Sequence, residues 1–394
     1  MAQGIREQRL QAALLAAGLD LLVCRLPEHV LLLCGYWPMN GMSFACFPVA
    51  SDPVLMVPAG EQQWAESGRW SDVRTFDWGA VRSPAMLESV AGHLRALRGR
   101  LLRAGGHLRV GYEGSVESVA PAHAAGESVA VAQPTREMLQ QVFGDGLVDA
   151  TPLLEEQRAV KTPDEVAGIR RAVAAADIGC AAFGAWLQPG AIECEGVAAV
   201  EAAVMCRTLE SQGASRARAW ATILAGSGSS AAWLPFQVPR ARPIAEGESA
   251  ILELGVVVDG FWADLTRTYV AGHPSTRQQH IHEIVLAAHD AALAAIRPGR
   301  TGAEVDHAAR QVIEAAGFGT AFHHQNGHGL GFCYHETQPL LHPAYERPLA
   351  AGMVTSVEPG IYLSGEFGLR IEDDVLVTAS GAESLSHAPR ALVP

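Results

Sequence analysis

Between Ile251 and Thr268 two β-prone runs, Ile251–Val258 and Phe261–Thr268, are joined by Asp259-Gly260. Asp-Gly is a preferred type I′ dipeptide, because that turn needs positive φ at both central residues and matches the twist of the flanking strands. A two-residue turn leaves a single register, in which Val258 opposes Phe261, Gly255 opposes Asp264 and Glu253 opposes Thr266. Side chains alternate with a period of two, so Glu253 and Asp264 leave the same face as diagonal neighbours. Gly255, between them, leaves room for another group. Two carboxylates on a Val- and Leu-rich segment repel unless a cation, a proton or an arginine compensates. On this stretch alone, a surface pair on a half-solvated strand explains them equally well.

The surrounding chain is long enough for two or three domains at 394 residues, and its 49% apolar and 18% charged content excludes disorder as the main state. A formal charge of −13 is the wrong sign for a nucleic-acid backbone binder. No apolar run reaches the ~18–20 residues of a membrane helix. The segment from Leu10 to Asp20 reads as an amphipathic helix ending near Gly18, not as a secretion signal. Seven scattered cysteines without a Cys-x-x-Cys pair argue against a disulfide framework or a thiolate site, and for a cytoplasmic protein with mostly buried thiols.

Residues 1–150 alternate helix and strand: β-type runs at Leu21–Arg25, Val30–Cys34, Ser43–Val49 and Pro53–Val57, a helix near Ala85–Arg98 and a strand near Leu108–Tyr112. They are expected to form a small α/β domain with a mixed sheet. Thr162-Pro163-Asp164-Glu165 is a strong helix start, with Thr162 as N-cap, Pro163 at the first position and Glu165 closing a capping box. Within 151–394, Gln188-Pro189-Gly190 followed by Glu193 is echoed by Arg297-Pro298-Gly299 followed by Glu304. The echo suggests two half-domains related by pseudo-symmetry. With strands expected at 219–225, 250–258, 261–271, 353–358 and 368–378, the predicted architecture is helix pairs backing a curved antiparallel sheet.

Five of the fifteen histidines lie between residues 323 and 342, around His323-His324-Gln325-Asn326-Gly327-His328-Gly329-Leu330-Gly331 and His335-Glu336. Glycines permit close backbone approach, and neutral imidazole is a common metal ligand. Further on, Glu358 abuts Pro359-Gly360, and the acidic triplet Glu372-Asp373-Asp374 sits in a predicted strand with Arg370 and Glu372 on one face. Both run against β-propensity, as functional sites often do. The set Glu253, Asp264, His328, Glu358 and Glu372 is oxygen-rich with one imidazole, a donor set for Mn²⁺, Co²⁺, Fe²⁺ or Zn²⁺.

These motifs resemble the pita-bread metallopeptidases: prolidase, aminopeptidase P and their relative creatinase. The resemblance covers the C-terminal ~235 residues through Asp264-Leu265-Thr266-Arg267-Thr268, Gly327-His328-Gly329-Leu330-Gly331, His335-Glu336, Glu358-Pro359-Gly360-Ile361-Tyr362 and Arg370-Ile371-Glu372-Asp373-Asp374. It implies an α/β (α+β) chain, with a creatinase/prolidase-type domain over 1–150 and a pita-bread catalytic domain over 151–394. It further implies two divalent ions, manganese first, held by Glu253, Asp264, His328, Glu358 and Glu372. By the same resemblance His335 and His324 contact substrate, Arg370 supports the ligands, and the chain forms a homodimer acting on small peptides; Trp262, which shares a strand face with Asp264, is expected to line the pocket. Two positions depart from the pattern. Glu253 stands where the family has Asp, and Phe236 stands where it usually has a histidine near the scissile carbonyl, which implies altered Xaa-Pro specificity.

The leading expectation is therefore metal-assisted hydrolysis of a small peptide, most simply a dipeptide, with Glu358 shuttling a proton and His335 and His324 stabilising the oxyanion. A non-peptide amidohydrolase of the creatinase or ectoine-hydrolase type is the alternative, since ectoine hydrolases resemble this chain in having Glu at the first ligand position. A non-catalytic binding protein on the same scaffold is the third reading, disfavoured by the retained ligands.

Overall fold

A computed structural model describes residues 4–39, 42–66, 68–76, 84–102, 106–115, 133–211, 214–233 and 238–393. The chain divides into two compact units, Met1–Arg158 and Ala159–Pro394.

The first unit runs α1 (Ile5–Ala17), β1 (Leu21–Cys24), α2 (Pro27–Cys34), β2 (Phe44–Pro48), β3 (Val54–Pro58), α3 (Gln62–Ala65), β4 (Val73–Phe76), α4 (Pro84–Leu101), β5 (Val110–Tyr112), α5 (Gln133–Phe143) and β6 (Leu147–Asp149), followed by α6 (Thr151–Ala159). Its six strands form a mixed sheet in the order β4-β3-β2-β1-β5-β6, with β1 antiparallel to β2 and parallel to β5. One expectation fails here: Val30–Cys34 is the body of helix α2, not a strand. The run is buried on every side, so it carries no period by which a helix could be told from a strand. The local signals around it favour helix. Pro27 occupies the first turn, Gly35 closes the helix at φ 74°, and the Glu113 carboxylate accepts from the Arg25 and Leu26 amides at its start.

The second unit opens with α7 (Pro163–Trp186), whose Thr162/Glu165 capping box is formed, and α8 (Glu193–Ser211). Strands β7 (Ala217–Ala225), β8 (Ser249–Val258) and β9 (Phe261–Val270) make an antiparallel sheet against this helix pair. A second pair follows, α9 (Thr276–Ala295) and α10 (Gly302–Ala315). Then come β10 (Gly327–Gly329), β11 (Glu336–Leu341), β12 (Val354–Val357), β13 (Gly360–Leu363), β14 (Phe367–Arg370), β15 (Asp373–Val377) and β16 (Ala382–Ser384). These form a five-stranded sheet, β11-β10-β12-β15-β16, and the two-stranded β13-β14, with every pairing antiparallel.

The predicted pseudo-symmetry has a backbone counterpart. The two Pro-Gly links adopt the same left-handed glycine, φ 87° at Gly190 and 88° at Gly299, and each is followed by an antiparallel bridge, Ile192 to Pro243 and Thr301 to Pro348. Each helix pair buries its own apolar cluster, one around Phe183, Leu252 and Leu265, the other around Ile284, Val305 and Ile361.

The β8–β9 register is the one Asp259-Gly260 imposes, with φ of 49° and 92° at the turn. The predicted strand over 368–378 is corrected. It breaks at Ile371-Glu372, so Arg370 ends β14 in one sheet and Asp373 begins β15 in another. Arg267 holds the break. Its buried guanidinium donates to the carbonyls of Thr266, Glu372 and Ala388 and pairs with Asp373 at 2.7 Å. With the Pro389 carbonyl as well, this buried charge has five partners, which offsets leaving the ladder at that point.

Candidate metal centre

Five strands and loops deliver the acidic and imidazole groups to one place. Glu253 comes from β8, Asp264 from β9, His328 from β10, Glu358 from the turn after β12, and Glu372 from the break between β14 and β15. Ligand atoms of His328, Glu358 and Glu372 lie within 4.8 Å of one another, as do those of Glu253, Asp264 and Glu372, and those of Asp264, His328 and His335.

The polarity of this cluster is lopsided. His328 Nδ1 lies 3.0 Å from the Gly329 carbonyl, which can only accept, so the ring proton sits on Nδ1. Its other nitrogen, Nε2, then presents a lone pair to Asp264 Oδ2 at 3.3 Å and to Glu358 Oε1 at 3.7 Å. Burial keeps the imidazole neutral by lowering its pKa, while Glu372 pulls the other way. Glu372 Oε1 is buried with no hydrogen-bond partner, while its Oε2 accepts from the Thr266 hydroxyl at 2.7 Å. Burial, and then the charge of Glu372, push the Asp264 carboxyl well above its usual range; burial and the charges of Glu372 and Asp264 do the same to Glu358. Acceptors facing acceptors in a desolvated pocket are an arrangement a divalent cation resolves, and the O/N donor set suits one.

The Asp264 amide donates to Asp374 Oδ2 at 3.1 Å, which fixes the carboxylate from behind. Lys161, the chain's one lysine, pairs with Glu336 at 2.7 Å, and Glu336 also accepts from the Phe332 amide. Glu336 thereby pins the turn that presents His335. The His335 ring lies 4.3 Å from that of His328 and is exposed at the rim.

His324 sits beside Glu358, with Nδ1 3.8 Å from its Oε2, but both ring nitrogens are engaged. Nδ1 lies 2.7 Å from the Gln325 carbonyl and Nε2 2.9 Å from the Tyr362 hydroxyl, which itself accepts from Arg370. Burial lowers His324 to about 4. Arg370 reaches Glu253, Thr266, Tyr362 and the Ala232 carbonyl. Trp262 stacks on Trp220 at 5.0 Å and meets Tyr334 at 5.6 Å, forming an aromatic wall beside Glu253 and Asp264. Phe236 lies outside the described residues.

Sequence reasoning overlooked Tyr334. Its hydroxyl lies 3.1 Å from both Glu253 Oε1 and Asp264 Oδ1. A Cβ on Gly255 would meet its ring at 2.8 Å, so the space left by Gly255 is filled by Tyr334. The available signal was an aromatic immediately before His335-Glu336, opposite a glycine with no turn to explain it. Tyr362, which links Arg370 to His324, was overlooked as well.

The sequence profile of metallopeptidase family M24 matches residues 167–379, and that of the creatinase/prolidase N-terminal domain matches residues 6–160. A curated relative from Staphylococcus aureus (strain USA300), described as an uncharacterized peptidase, is 38% identical over 246 residues. That alignment spans 62% of this chain and 66% of the relative. Among solved structures, the prolidase from Pyrococcus horikoshii OT3 superposes with a TM-score of 0.79 at 25% identity, covering 99% of this chain and all of that one. Dipeptidase PepE from Mycobacterium ulcerans gives 0.76 at 29% identity over 98% of this chain and 96% of its own.

Proposed function

The chain belongs to metallopeptidase family M24, and from that premise we propose that it hydrolyses the amide bond of small peptides with the help of a divalent cation. The observation that carries the reading is the lone pair of His328 Nε2 aimed at Asp264 and Glu358, beside the unpartnered Oε1 of Glu372. Asp264, His328, Glu358 and Glu372 would hold the cation, with manganese the first choice among Mn²⁺, Co²⁺, Fe²⁺ and Zn²⁺. The chemistry a bound divalent cation supplies is Lewis acidity, which makes water a nucleophile near neutral pH and polarises a carbonyl.

The protein's own groups do the rest. Glu358, whose carboxyl is raised by burial and by the charges of Glu372 and Asp264, takes the proton from attacking water and returns it to the leaving nitrogen as the C–N bond breaks. His335 at the rim is placed to donate to the developing oxyanion. His324 does not fit that role as it stands, because its Nε2 faces the Tyr362 hydroxyl, so it positions Tyr362 and Glu358. Trp262, with Trp220, supplies an apolar wall for a substrate side chain.

The solved neighbours, a prolidase and a dipeptidase by name, support dipeptides as the substrate class. The wall and Phe236 support a preference shifted away from Xaa-Pro. The acidic balance, −13, supports a small-molecule rather than a nucleic-acid partner. Among the described residues no helix is long and apolar enough to cross a membrane. A homodimer and a cytoplasmic location complete the proposal, supported by the family resemblance and, for the location, by cysteines that form no disulfide among the described residues. Turnover of a panel of Xaa-Pro and non-proline dipeptides, measured with Mn²⁺ and again after chelation, tests it. Metal-dependent release of amino acids is expected, and equal activity in both conditions would overturn it.

A further inference from the structure

Resting on that reading, we propose that this chain holds one divalent cation rather than a pair, because the Tyr334 hydroxyl and the Arg370 guanidinium take the place of a second cation beside Glu253. Two overlapping donor clusters are present, His328/Glu358/Glu372 and Glu253/Asp264/Glu372, and they differ in what already satisfies them. In the first, the lone pair of His328 Nε2 faces carboxylate oxygens and Glu372 Oε1 has no hydrogen-bond partner, while the Ser356 hydroxyl reaches Glu358 Oε1 only at 3.4 Å.

In the second, both oxygens of Glu253 and the near oxygen of Asp264 are taken. Glu253 Oε1 lies 3.1 Å from the Tyr334 hydroxyl, and Glu253 Oε2 is paired with Arg370 and lies 3.3 Å from Thr266 Oγ1. Asp264 Oδ1, the atom that would turn toward a cation shared with Glu253, is 3.1 Å from the same Tyr334 hydroxyl. A phenol has a single proton, and here it stands between two carboxylates, where a cation would otherwise screen their repulsion. Arg370 is held in turn by Tyr362 and the Ala232 carbonyl, so its positive charge is anchored at this spot.

Two features of the chain make the arrangement possible. Gly255 lacks the Cβ that would meet the Tyr334 ring at 2.8 Å. Trp262, packed on Trp220, backs the ring from the side. The longer arm of Glu253 also lets its carboxylate reach Arg370 and Tyr334.

The test is Mn²⁺ stoichiometry on the full chain stripped with chelator, by calorimetric titration with Mn²⁺ alone and by electron paramagnetic resonance. The wild type is expected to take up one ion per chain with the spectrum of an isolated Mn²⁺. Y334V, which removes ring and hydroxyl, is expected to take up two, with a spin-coupled pair signal. Y334F removes only the hydroxyl and is expected to gain a weaker second binding step; it decides the matter if Y334V does not fold. Two ions per wild-type chain would overturn the inference, as would one ion in all three proteins, since Tyr334 would then not be the excluding group. No ion in any of them would overturn the metal-dependent reading itself.

Discussion

His328 Nε2 lies 3.3 Å from Asp264 Oδ2 and turns a lone pair toward it, because the imidazole proton is committed to the Gly329 carbonyl. Two acceptors at that distance, both buried, cost stability unless a cation or a proton joins them. The centre is thus built for binding at the expense of folding, and the consequences can be measured.

Raised carboxyls give the first consequence. The folded state holds protons on Asp264 and Glu358 to higher pH than the unfolded state does, so stability falls as pH rises from the ordinary carboxylate range through the raised values. His328 and His324 act oppositely, since their lowered values remove stability as pH falls below about 6.5. Just above that pH the histidine effect is spent and the carboxylate effect remains. The melting temperature of chelated protein is expected to fall as pH rises from about 6.5 through the raised carboxyl values. Mn²⁺-loaded protein is expected to hold level, because the ion replaces the protons. Scanning calorimetry across that window checks both curves.

Asp264→Asn removes one of the facing charges. The chelated Asp264→Asn variant is expected to melt higher than chelated wild type, while its Mn²⁺ affinity falls by more than the ~10–100-fold typical of losing an outer partner. Thermal melts paired with Mn²⁺ titration separate the two effects, and a variant that loses both stability and affinity would contradict this account of the charge balance.

His335→Ala is expected to leave Mn²⁺ binding within error of wild type and to lower kcat by about 10²–10³, the cost of one oxyanion donor. Steady-state kinetics on the best dipeptide, with a Mn²⁺ titration alongside, distinguishes a substrate-facing group from a ligand.

Arg267→Met keeps the length of the side chain but strips the bonds to the Thr266, Glu372, Ala388 and Pro389 carbonyls and leaves Asp373 to His289 and Arg390. Breaking a buried pair by removing one partner costs about 3–5 kcal/mol. Urea unfolding should show a loss of that order, together with weaker Mn²⁺ binding, because one of the released carbonyls is that of Glu372 itself.

Much of this centre was legible in the chain itself wherever chemistry is local. Asp259-Gly260 sets the β8–β9 register through its positive φ, and that register alone puts Glu253 and Asp264 on one face. Thr162 and Glu165 start α7, and the Pro-Gly links mark the repeated helix pairs, by interactions spanning a few residues. Helix α2 escaped notice because a run buried all round shows no period, and its start is fixed by Glu113, far along the chain. The strand break at Ile371-Glu372 depends on Arg267, and Tyr334 entering the space over Gly255 depends on how β10 and β11 meet β8. Dihedral preferences and capping act between neighbours, so sequence determines them directly. Which distant donor reaches a buried acceptor is decided only when packing has removed water and left that donor as the partner at hand.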